Sequence, residues 1–84
     1  MPSYLVETYV PRSRADDAHE VARRAGAVAA AMSREGTAVR YLRTAFVPGD
    51  KTCFHFFEAA SDDAVEEACR RVGISSARIV PVVE

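Results

Sequence analysis

Two stretches with helical spacing, each bracketed by β-forming runs, constrain this chain more than any other feature. Ala18, Val21, Ala22, Ala25, Val28, Ala29 and Met32 recur at the spacing that gathers apolar side chains on one face of a helix. That helix runs to Arg34, with Ser13 or Asp16 as its cap and Gly36 as its stop. The pattern repeats in Val65, Ala68, Cys69 and Val72, after a Ser61 cap with Asp62 and Asp63 in the first turn. Gly73 ends this second helix. The remaining segments are rich in β-branched and aromatic residues: "SYLVETYV" (Ser3–Val10), "TAVRYLRTAFV" (Thr37–Val47), "DKTCFHFFEA" (Asp50–Ala59) and "ARIVPVV" (Ala77–Val83). Pro48 and Gly49, between the second and third runs, suit the central positions of a type II turn.

The order β-α-β-β-α-β is that of an α+β, ferredoxin-like sandwich: a four-stranded antiparallel sheet with two helices on one face. Strands one and three are central in that arrangement and strand four lies at an edge. Pro81 fits there, because an edge strand tolerates a missing ladder donor. A chain of 84 residues makes one domain, residues 1–84. Its 11 basic and 12 acidic residues leave a net charge of -1, which argues against a general nucleic-acid binder. No apolar run is long enough for a membrane span, and the N-terminus lacks a signal-peptide pattern. Two cysteines in such a chain read as reduced thiols in the cytoplasm.

Within the third run, Cys53 and His55 stand two residues apart and therefore share a face of the strand. The helices offer mostly Ala and Val, and small residues call for large partners across the layer. By that argument Phe54 and Phe56 face the helices, and Cys53, His55 and Phe57 face the open side. On strand one, Tyr4 and Val6 face the helices and Leu5, Glu7 and Tyr9 the open side. Glu7 and His55 then approach each other mid-strand. Imidazole and thiolate suit nickel, zinc or copper, so Cys53 and His55 are candidate metal ligands, with Glu7 a third ligand or a support for His55. The plainer reading is a half-buried histidine beside a small thiol, with Glu7 in an ion pair, for instance with Arg43. Cys69 falls on the buried stripe of its helix and His19 on a polar face.

The segments "PSYLVET", "CFHFFEAASDDAVEEACRRVG" and "ISSARIV" resemble the small bacterial ferredoxin-like proteins known as nickel-binding, formerly a domain of unknown function. An FEA-x-S segment leading into a helix that ends before Gly73 is the most specific part of the likeness. The resemblance implies a homodimer and a site for divalent nickel, and no established enzymatic activity. A non-catalytic nickel protein, acting by sequestration or sensing, is the expectation. The open sheet face would carry the dimer contact, since Leu5, Tyr9 and Phe57 on it are too apolar to be left wet. Two alternatives stand beside it. One is a dimeric α+β barrel enzyme of monooxygenase type, with Tyr9, Tyr41, His55 and Phe57 around a small aromatic substrate. The other is a dimerisation module without a ligand.

Overall fold

The computed structural model describes residues 1–10, 16–74 and 78–83. Strand β1 (Ser3–Tyr9) leads to helix α1 (Asp17–Arg34), strand β2 (Val39–Val47), strand β3 (Thr52–Ala59), helix α2 (Asp62–Val72) and strand β4 (Arg78–Val82). The strands form one antiparallel sheet in the order β2-β3-β1-β4. The α+β, ferredoxin-like architecture expected from the sequence is therefore present, with β1 and β3 central and Pro81 on an edge strand. All four strands are slightly shorter than their β-forming runs, and Ala77 and Ser13 lie outside the described residues.

The helix ends follow from local chemistry. At the start of α2, the extended Ser61 accepts a hydrogen bond from the Ala64 backbone N–H, at 3.3 Å. Past the end of α1, Gly36 takes a left-handed φ of 102°. Its N–H bonds the Ser33 carbonyl while the Thr37 N–H bonds that of Met32, the double closure that favours glycine. Asp16 occupies the cap position of α1, but its backbone is already helical and its side chain makes no capping bond. The β2–β3 connection is not the expected type II turn. Pro48–Asp50 form a 3-10 turn and Lys51, at φ 54°, takes the left-handed conformation that was expected of Gly49.

Ladder partners share a face, so the register sorts the sheet into rows. Facing the helices are Tyr41, Phe57 and Tyr4 in one row, then Thr44, His55, Val6 and Ile79, then Phe46, Cys53 and Thr8. Facing away are Arg43, Phe56, Leu5 and Val80, then Ala45, Phe54, Glu7 and Arg78. The expectation for β1 holds, with Val6 buried, but that for β3 is inverted. Cys53, His55, Phe57 and Ala59 are buried, while Phe54 and Phe56 are half-buried on the open face. The physical reason is the register. His55 pairs with Val6, and once Val6 enters the core its partner must follow. Small helix residues (Ala25, Ala29, Ala68) are filled against by Phe57 and Met32 rather than by Phe54 and Phe56.

A β-bulge interrupts β2 between Tyr41 and Arg43, leaving Leu42 as the extra residue. In a regular strand Tyr41 and Thr44, three residues apart, would point to opposite faces. The bulge places both on the helix side.

Candidate metal centre in a cavity at one end of the sheet

Among the described residues, the layer between helices and sheet is filled at one end and holds a cavity at the other. Around Phe57, the core is continuous from Val39 and Met32 to Val65 and Val72. Toward the Cys53 end, the packing gives way to a cavity of about 380 Å³. Thr8, Cys53 and His55 form its floor, Asp17, Glu20 and Arg24 of α1 one wall, and Gly73 and Ile74 the far side. Cys53 and His55 are 0% and 1% exposed and both line this cavity.

His55 is a positioned side chain. Its Nδ1 lies 2.8 Å from the Thr44 hydroxyl oxygen, which lies 2.6 Å from the Tyr41 hydroxyl. Tyr41 is fixed in turn by an edge-on contact with Phe57, centroids 5.6 Å apart. Among the described residues, no buried side-chain nitrogen or oxygen lacks a partner. With Nδ1 engaged, Nε2 is the nitrogen left for the cavity. Burial lowers the His55 pKa, so the ring is neutral at pH 7 and able to ligate. Burial likewise raises that of Cys53, which stays a thiol. The Glu20 carboxylate accepts hydrogen bonds from Arg23 at 2.6 and 3.1 Å, which hold its pKa below the ordinary value.

Cys53 and His55 are thus brought together on one face, as their spacing predicts. Glu7 is not: it pairs with Phe54 on the opposite side of the sheet, and its carboxylate lies 3.6 Å from Arg78 rather than beside His55 or Arg43. Arg43 instead lies over Phe56, 4.2 Å from the ring centroid. A pocket between two facing sheets cannot hold Tyr9, Tyr41, His55 and Phe57 together, because Tyr9 is on the open side and the others face the helices. Cys69 is buried on α2, its pKa pushed up to about 11 by burial, and His19 is exposed. Thr44, the hydroxyl partner of His55, escaped the sequence reading, and Tyr41 entered it only as a wall of the facing-sheet pocket. Tyr41 and Thr44 acquire a common face only through the bulge, which strand alternation does not announce.

The family described as nickel responsive protein SCO4226-like matches residues 4–82. The chain belongs to this family. The crystal structure of SCO4226 from Streptomyces coelicolor A3(2) superposes with a TM-score of 0.70, over 98% of this chain and 99% of that one. At 16% identity, the superposition establishes the shared fold. No curated protein matches the chain.

Among the described residues, no three His, Cys, Asp or Glu side chains cluster closely enough to hold a metal ion. A closed structural cage of the zinc-finger kind is therefore not what His55 and Cys53 build. Two borderline donors on the floor of a cavity of mixed polar and apolar lining would fit an open site, one whose other coordination positions fall to water. No helix among the described residues is long and apolar enough to cross a membrane.

Proposed function

We propose that this chain binds divalent nickel reversibly at the His55 end of the cavity and serves to sequester or sense the ion rather than to catalyse a reaction. The observation carrying this reading is the neutral, buried imidazole of His55, held at Nδ1 by Thr44 and lining a cavity beside Cys53. A ligating histidine needs a fixed partner at the nitrogen that does not bind the ion, and Thr44 supplies one at Nδ1. His55 is the first ligand through Nε2 and Cys53 the second, after loss of its thiol proton. Zinc and copper suit the same donors, and the family points to nickel among them. An open two-donor site exchanges its ion readily, as sensing or buffering requires.

The homodimer belongs to the same proposal. The open face carries an apolar row of Leu5, Phe56 and Val80 beside Phe54, with the Arg40–Glu58 and Arg78–Glu7 ion pairs next to them. An apolar centre with charged margins of both signs is the anatomy of a subunit interface, and a second copy of this chain matches it by symmetry.

Calorimetric titration of metal-stripped, tag-free protein with Ni(II), Zn(II) and Cu(II) tests the metal reading. Stoichiometric nickel binding that is lost in His55→Ala and His55→Gln is the expected result. Binding that survives both substitutions, or no binding by the wild-type protein, overturns it.

A further inference from the structure

Tyr41, Thr44 and His55 form a chain of three polar groups, of which the metal reading uses only the Thr44–His55 link. Its two links are short, 2.6 Å from Tyr41 Oη to Thr44 Oγ1 and 2.8 Å from Thr44 Oγ1 to His55 Nδ1. Each hydroxyl has one hydrogen to give, and a neutral imidazole carries one N–H on either nitrogen. That leaves three ways to draw the chain. If Nδ1–H donates to Thr44 and Thr44 donates to Tyr41, the phenol hydrogen has no partner in the chain. If Nδ1–H and Tyr41 both donate to Thr44, the Thr44 hydrogen has none. If Tyr41 donates to Thr44 and Thr44 donates to Nδ1, both hydroxyl hydrogens are used, and the remaining N–H is at Nε2 on the cavity. Each way leaves one hydrogen over, and the two bonds are aligned in the first and third alike. The third is the one whose spare hydrogen faces the cavity, where water can accept it.

We propose that Tyr41 and Thr44 are positioning residues that hold the His55 proton on Nε2, so that the cavity of the metal-free protein is offered a hydrogen-bond donor and the relay must turn over before Nε2 offers a lone pair. The turnover is neutral. Cavity water takes the Nε2 proton, Thr44 passes its hydrogen to Nδ1 and receives that of Tyr41, and solvent returns a proton to the half-buried phenol, so each hydroxyl ends with one hydrogen. The bulge at Leu42 makes the relay possible, because without it the phenol would lie on the other face of the sheet. The same cavity therefore has two states: a donor that suits water or the carbonyl or carboxylate of a small molecule, and a lone pair that suits a cation.

Only the consequence for nickel rests on the reading above; the tautomer is a property of the chain alone. Long-range 1H–15N spectra of labelled, metal-free protein at neutral pH show directly which ring nitrogen bears hydrogen. Signals of His55 are assigned by their loss in His55→Gln. The wild-type protein is expected to show Nε2–H. Tyr41→Phe keeps the ring packed on Phe57 but removes the phenol hydrogen, and the spectrum should move toward Nδ1–H. In the nickel titration, Tyr41→Phe should bind about threefold to tenfold tighter, the equivalent of one hydrogen bond no longer opposing the turnover. An Nδ1–H wild type, or a Tyr41→Phe spectrum unchanged from wild type, overturns the relay even if nickel binds. Absent nickel binding with the expected tautomers removes the metal reading and leaves the relay standing.

Discussion

Phe56 and Phe57 are neighbours in the chain and opposites in the fold. Phe57 is fully buried between the helices and the sheet, in edge contact with Tyr41. Phe56 is half-buried on the far face, between Leu5 and Arg43 in its row, with the Arg43 guanidinium over its ring. Two identical side chains thus have different work, set by the parity of one strand. The comparison teaches that the ladder partner decides a strand's face when size does not. Truncation should separate the pair. Phe57→Ala leaves a cavity in the one continuous core and should cost about 3–5 kcal/mol. For a domain whose total stability is about 5–15 kcal/mol, that removes a large share. In the monomer, at protein concentrations too low for a dimer, Phe56→Ala should cost about 1 kcal/mol or less, since water or the Arg43 stem can take its place. Urea unfolding of both variants checks this, and equal losses would mean the two faces are equally packed.

A second contrast on the same strand concerns charge rather than volume. His55 shares the inner face with Phe57, and its neutral form is the one that the packing accepts. Its folded pKa is lowered by burial from an unfolded value near 6.5. As pH falls below that value, the unfolded chain takes up a proton that the folded chain resists, so stability is lost. Above it, both states are neutral and the penalty vanishes. Melting temperature should therefore hold between pH 8 and 7 and fall as the pH is lowered through 6, and His55→Gln should flatten that fall. Glu20 and Glu35 have lowered pKa values through bonds to Arg23 and Arg71, and Glu67 through bonds to Arg71 and Arg70, so they add their loss only at lower pH, in the carboxylate range. A slope unchanged in His55→Gln would assign the effect elsewhere.

These contrasts mark what the sequence carries. The order of elements is legible because apolar periodicity switches between two and about 3.6 along the chain. Ser61, Gly36 and Gly73 are legible because caps and left-handed stops depend on the residue itself. The inward stripe of α2, Cys69 included, follows from spacing alone. The faces of β3 do not. Its two alternating sets, Cys53-His55-Phe57 and Phe54-Phe56-Glu58, are both largely apolar, and only pairing with Val6 chooses between them. That pairing is a long-range fact. Glu7 fails to meet His55 for the same reason: ladder partners share a face, and the partner of Glu7 is Phe54. The relay depends on a bulge, where one extra residue overrules alternation. The shared face of Cys53 and His55 needed no long-range information, because a two-residue step in a strand is local geometry.

The smallest effect bears on the open face. Arg43 lies over Phe56, and such a contact is worth about 0.5–1 kcal/mol when wet and about 2 kcal/mol or more when desolvated. Arg43→Gln therefore reports on what covers the face. If a second copy sits there, the cost should be near the larger figure at protein concentrations where the dimer forms, and should shrink toward the smaller on dilution below its dissociation constant. Sedimentation velocity on the same samples fixes which regime holds. A small, concentration-independent loss in a species that sediments as a monomer throughout would leave Phe54 and Phe56 as a wet face shielded by their own arginine. The inner face would be unaffected by that outcome, because no residue lining the cavity at His55 belongs to the Phe56 row.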